Sequence, residues 1–344
     1  MRYGIIPTRM IERIGLACGR VPVPLVDAVF GPLKARAIMA GVSLGVFEAL
    51  RDGEHTAAAL AWELGLDADA LTLLLRALVV CDYLEQRGDR FVLAPLARRS
   101  MIAGAPMEMV GYLRFNYAQW EFMAHLEELV RSGRGRDFHA TMTDASQWRA
   151  YQQGMLEIAR IEATLVAARV PVPRGATSLL DVAGAHGLFG AAICRRNPPM
   201  RCTVLDLPQA IAHARALAEY EHLGDVVTHR AGELLTTQLG THDVVLLFNI
   251  LHHFGREQLV SILTRVRDAL REGGTVAIWE IEAPCRRASA GSGDAAALFF
   301  RLTSTAGAYS ADDYARGLSE AGFVRIRVTR PVITPGKMLV TARR

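Results

Sequence analysis

The chain has 344 residues, 51% of them hydrophobic, and a formal net charge of +4. That length suggests two domains, and the mild charge leaves no footprint for a nucleic acid or an acidic membrane. The five cysteines (Cys18, Cys81, Cys194, Cys202, Cys285) show neither CxxC nor Cys/His spacing, which reads as reduced thiols without a zinc cage. No run is long enough to span a bilayer and no signal peptide is evident, so the expectation is a cytoplasmic protein.

Residues 1–30 carry Pro7, Pro22 and Pro24 among apolar residues and read as an arm that must dock. From about residue 32 to 165 the pattern is mainly helical. Apolar residues recur at helical spacing over 33–50, before a turn at Asp52-Gly53. Thr56 is placed to cap a helix stopping at Gly65, and Asp67 to cap a second running to about Val80. Tyr83-Leu84-Glu85, a turn at Gly88-Asp89, and Arg90–Leu93 predict a small hairpin, completing a winged-helix pattern. Its second helix has Arg76 alone against Asp67 and Asp69 and is otherwise rich in leucine. A groove-reading helix needs cations for phosphates, so DNA binding is rejected. Residues 109–131 read as one long helix bearing Tyr112, Phe115, Tyr117, Trp120 and Phe122.

Pro171–Gly175 is a stiff segment near the expected domain boundary, which is placed between residues 165 and 166. Beyond it strands fall near 178–183, 201–206, 225–230, 243–249 and 274–281, with helices between them. Phe323–Arg330 and Lys337–Ala342 form an expected closing antiparallel pair. Such alternation builds an α/β, Rossmann-like, mostly parallel sheet that binds ligands beyond the carboxyl ends of its strands. Residues 284–296 read as a flexible loop.

The stretch 178–190, SLLDVAGAHGLFG, runs from strand through glycine turn to helix. Such a turn lets backbone approach a ligand, and the helix start offers unpaired N–H groups. Asp206 ends the next strand, where an acid can accept both ribose hydroxyls of an adenosine cofactor. A dinucleotide would want G-x-G-x-x-G, but Ala185 holds the first glycine place. The acid beside the turn instead suits a cofactor tail carrying an ammonium group, and so favours S-adenosyl-L-methionine.

Over essentially its whole length the chain resembles the small-molecule O-methyltransferases of plant and bacterial secondary metabolism. The resemblance is carried by Asp181–Gly187, Leu205-Asp206-Leu207-Pro208, Gly232-Glu233-Leu234, Asn249-Ile250-Leu251-His252-His253-Phe254, Gly273-Gly274 with Glu280, and Ala321-Gly322-Phe323. It implies a class I methyltransferase domain and a winged-helix region through which the protein forms a homodimer. It also implies cofactor binding by Asp181, Gly184, Gly187, Asp206, Leu207, Gly232, Glu233, Leu234 and Asn249, without a metal. His252 follows the apolar strand, and the resemblance makes it the base that deprotonates the acceptor hydroxyl, oriented by Glu280. Tyr151, Met155 and His253 are the expected contacts to a small aromatic substrate. The chain departs from the family at His253 and Phe254, which replace an Asp-Trp pair, and at Ala308, where a second supporting glutamate is expected. These departures keep a second reading in view: the same fold and cofactor used for C- or N-methylation, or for a reaction that transfers no methyl.

Overall fold

The computed structural model describes residues 5–283, 292–332, 334 and 336–344. Two compact units divide between Ala118 and Gln119. In the first, three short strands, β1 (His55–Thr56), β2 (Leu84–Arg87) and β3 (Arg90–Leu93), form an antiparallel sheet in the order β1-β3-β2. The Thr56 hydroxyl accepts the N–H of Ala59 at 3.2 Å and the Asp67 carboxylate that of Ala70 at 2.8 Å, so both expected caps form. Phe47, Leu60, Leu75, Leu78 and Phe91 close the core between helices and wing. The expected arm is largely helical, with Met10–Ala17 followed by Val23–Ser43. It leaves Met10, Ile11, Phe30 and Leu33 exposed.

The region read as one helix over 109–131 is three pieces: a helix Val110–Ala118, a 3₁₀ stretch Trp120–His125 and a helix Leu126–Ser132. The aromatic-rich run from Tyr112 to Phe122 loses side-chain freedom in a helix and propagates it poorly. The chain tightens there, with the N–H of Phe122 donating to the carbonyl of Gln119 at 3.1 Å.

The second unit holds a seven-stranded sheet ordered β6-β5-β4-β7-β8-β10-β9. Its strands are β4 (Ser178–Val182), β5 (Arg201–Asp206), β6 (Val227–Ala231), β7 (His242–Phe248), β8 (Leu270–Ile281), β9 (Val324–Thr329) and β10 (Lys337–Arg343). The first five are parallel, and β10 enters antiparallel between β8 and β9. Alternate residues feed two cores, one on each face. Leu180, Val245, Leu247, Ile278 and Val340 pack on one side, and Leu179, Val244, Leu246, Ala277 and Trp279 on the other.

The helix Ala145–Ala167 packs on the helices Leu188–Arg196 and Pro208–Tyr220. It therefore groups with the sheet, within the unit that begins at Gln119. Of the expected loop 284–296, residues 284–291 lie outside the described residues. From Ser292 onward the chain is helical to Thr303. Among the described residues no helix is long and apolar enough to cross a membrane.

Candidate active site

Beyond β4 the chain turns through Ala183 and Ala185, both at positive φ, before the helix that begins at Leu188. Asp181, 1% exposed, lies beneath this turn. Its Oδ2 accepts the N–H of Gly190 at 3.3 Å, while Oδ1 has no partner among the described residues. A Cβ at position 184 would stand 2.4 Å from its carboxyl carbon, so only glycine fits there. Burial pushes the Asp181 carboxyl up to about 7. His186 is buried with its Nδ1 accepting the N–H of Leu188 at 3.1 Å. Burial lowers this imidazole to about 4, and a hydrogen bond to the carbonyl of Met155 ties the turn to the long helix.

Asp206 stands at the end of β5, beside that turn. Its carboxylate accepts the N–H of Ala185 at 2.9 Å and that of Leu207 at 2.8 Å. Burial raises it to about 6 against these two bonds. The N–H of Gly232 donates to the Asp206 carbonyl at 2.9 Å, which brings the following loop alongside. A cavity of about 320 Å³ opens here, lined by Ala183, Ala185, Asp206, Leu207, Gly232, Glu233, Leu234, Asn249 and, opposite, Tyr151 and His253. Asp181, Gly184, Gly187 and Met155 are not among the residues that line it. Of these two buried acids only Asp206 lines the cavity, where it fits a ligand that brings paired hydroxyls.

At the carboxyl ends of β7 and β8, Glu280 is 1% and His252 4% exposed. Oε2 of Glu280 lies 2.9 Å from Nδ1 of His252, and Oε1 accepts the N–H of Leu251 at 2.8 Å. With Nδ1–H directed at the carboxylate, Nε2 is the ring nitrogen free to take a proton. The His252 ring packs edge-on to Phe300 at 4.4 Å and lies 4.1 Å from the ring of His253. His253, not His252, belongs to the lining of the 320 Å³ cavity. Burial holds the His253 imidazole well below its ordinary range, with His252 and His139 adding to the shift.

Two groups of residues escaped the sequence reading. Asp137, His139, Trp148 and Gln152 also line the cavity, on the face shared with Tyr151. Glu162 of the long helix accepts from the Lys337 ammonium and the Trp279 indole, each at 2.8 Å. The same ammonium reaches Oδ1 of Asn249 at 3.4 Å, and so joins this buried cluster to the cavity rim. The one available signal for it was a glutamate inside an alanine- and valine-rich helical stretch.

An O-methyltransferase domain model matches residues 124–324, and an O-methyltransferase dimerisation domain model matches residues 26–101. The chain belongs to the O-methyltransferase family, and is an enzyme of that class. It is 29% identical over 333 residues to 3-hydroxy-5-methyl-1-naphthoate 3-O-methyltransferase of Streptomyces sahachiroi, covering 93% of this chain and 94% of that one. The mitomycin biosynthesis 6-O-methyltransferase of Streptomyces lavendulae is 30% identical over 256 residues, covering 71% and 73%. Human N-acetylserotonin methyltransferase, solved in complex with SAM, shares the fold at a TM-score of 0.84 and 19% identity, covering 99% of both chains.

Proposed function

We propose that the chain is an S-adenosylmethionine-dependent O-methyltransferase acting on a hydroxyl of a small aromatic or polyketide-like metabolite. The observation that carries this reading is the buried His252–Glu280 pair, 2.9 Å apart at the same sheet edge as the acid-floored cavity. The cofactor, when bound, supplies a methyl group on a sulfonium whose thioether is a good leaving group. Asp206 accepts the ribose hydroxyls, with Leu207, Gly232, Glu233 and Leu234 around the nucleoside. Asp181 and the turn through Gly184 and Gly187 hold the amino-acid end, and Asn249 borders it. A phenol, with a pKa near ~10, is a poor nucleophile at neutral pH. His252 takes its proton while Glu280 positions the ring, an effect worth roughly 10²–10⁴-fold. Tyr151 and His253 supply an aromatic wall suited to a flat acceptor, in keeping with the hydroxynaphthoate named for one relative.

The protein works as a cytoplasmic homodimer built on its first unit. The dimerisation-domain match and the exposed Met10, Ile11, Phe30 and Leu33 support the dimer, and the free cysteines support a reducing compartment. The test incubates the full chain with S-adenosylmethionine and a panel of phenols, hydroxynaphthoates and hydroxyquinones, read by mass spectrometry. A product heavier by one methyl, with S-adenosylhomocysteine released and turnover collapsing in His252→Ala, is expected. Turnover that survives in His252→Ala but not in His253→Ala would move the base to the neighbouring ring. An acceptor altered without gaining a methyl would favour the second reading.

A further inference from the structure

We propose that Asp137, His139 and His253 form a binding site for a divalent transition-metal ion of the Zn²⁺ or Co²⁺ type. One ligand atom from each residue lies within 4.8 Å of the other two. Two imidazole nitrogens and a carboxylate oxygen make a donor set suited to first-row ions of borderline softness. All three residues line the 320 Å³ cavity, so an ion held by them keeps its remaining positions open toward that space.

Metal–ligand bonds near 2.0–2.1 Å place tetrahedral ligand atoms ~3.3 Å apart, so binding draws the groups together by up to ~1.5 Å.

The backbone holds the three donors from one scaffold. The N–H groups of Arg136 and Phe138 donate to the carbonyls of Leu302 and Thr303, each at 3.1 Å. A few residues on, the N–H of Gly307 donates to the carbonyl of His252 at 2.9 Å, and the Thr305 hydroxyl to that of His253 at 3.4 Å. Residues 302–307 thus anchor both halves of the cluster. The approach is close: a Cβ at position 135 would meet the Arg301 carbonyl oxygen at 1.9 Å, so Gly135 is needed for it. The His139 ring packs edge-on to His253 at 4.6 Å and to Tyr151 at 4.9 Å, which limits the orientations open to it.

The transferase reading uses neither Asp137 nor His139 and shares only His253 with the metal site, whose geometry is argued without it. One consequence does rest on that reading: an acceptor with two adjacent oxygens would chelate the ion and be held beside His252.

The test titrates metal-stripped full-length protein with cobalt chloride and follows the visible ligand-field absorption. Saturation at one ion per chain is expected, with affinity falling at least ~10-fold in His139→Ala, His253→Ala and Asp137→Asn. Circular dichroism confirms that each variant folds. Failure of the wild type to saturate, or unchanged affinity in both histidine variants, overturns the site. Calorimetry with S-adenosylhomocysteine on the same samples separates the two claims, because lost nucleoside binding beside intact cobalt binding counts against the transferase reading alone.

Discussion

A Cβ placed on Gly184 would lie 2.4 Å from the carboxyl carbon of Asp181. The turn is therefore closed directly over a buried acid, and among the described residues that acid keeps one oxygen without a partner. Gly184→Ala must push the turn or the acid aside, at a cost of about 1–3 kcal/mol by overpacking. The expected result is a lowered melting temperature with affinity for S-adenosylhomocysteine reduced at least ~10-fold, or ~1.4 kcal/mol. Calorimetry on the folded variant checks this, and wild-type affinity would detach the turn from the ligand.

Glu280 serves two donors, the N–H of Leu251 and Nδ1–H of His252. Glu280→Ala leaves both buried and unpaired, costing about 1–3 kcal/mol for each. Glu280→Gln retains an acceptor oxygen and should be the milder change in denaturant titrations. Both should lower kcat while the KM for S-adenosylmethionine stays near wild type, because Glu280 is not part of the cavity lining. A Glu280→Gln enzyme with unaltered kcat would show that ring orientation is set by packing against Phe300 and His253 instead.

The pH dependence of stability has a definite sign. Burial lowers His139 and His186 to about 4, and lowers His229, His242 and His253 as well. In the unfolded chain these rings bind protons near pH ~6.5, while in the folded chain they do not. Stability from them is complete above that pH and is lost as pH falls toward their folded values. Asp181 and Asp206, raised to about 7 and about 6, oppose this, because their contribution is complete below pH ~4 and lost as pH rises through those values. The histidines outnumber the acids, so the ligand-free protein should melt at a lower temperature at pH 5 than at pH 7. A melting temperature that climbs on acidification would contradict this balance. Asp181→Asn should deepen the acid-side loss.

The sheet was legible because its strands are buried on both faces and read as apolar runs: the segment expected at 243–249 is β7 at 242–248. Asp206 and Glu280 were legible for the same reason, since an acid ending such a run must stand at the sheet's carboxyl edge. What the sequence hid was long-range. His139 and His253 have ring centres 4.6 Å apart across a wide gap in the chain, and no spacing rule connects them. Tyr151 and Met155, one helical turn apart, looked equivalent. Yet Tyr151 lines the cavity while the Met155 carbonyl bonds the buried His186. The break at Gln119 within the expected helix 109–131 was equally hidden, because no proline or glycine marks it.

Glu162 offers the sharpest stability test, since it joins three segments far apart in sequence. Its carboxylate faces the Lys337 ammonium and the Trp279 indole, each at 2.8 Å, with the glutamate side chain 10% and the lysine side chain 13% exposed. Glu162→Ala strands a largely enclosed cation and an indole N–H, and breaking such a pair from one side costs about 3–5 kcal/mol. Losing the lysine as well removes the stranded charge, so Glu162→Ala with Lys337→Met should recover a good part of that loss. Urea titration of the single and double variants measures the coupling. Since Lys337 also reaches Oδ1 of Asn249 at 3.4 Å, the single variant should weaken S-adenosylhomocysteine binding too. Additive losses in the double variant would mean that the lysine and glutamate act independently, with the helix Ala145–Ala167 held to the sheet by its apolar face alone.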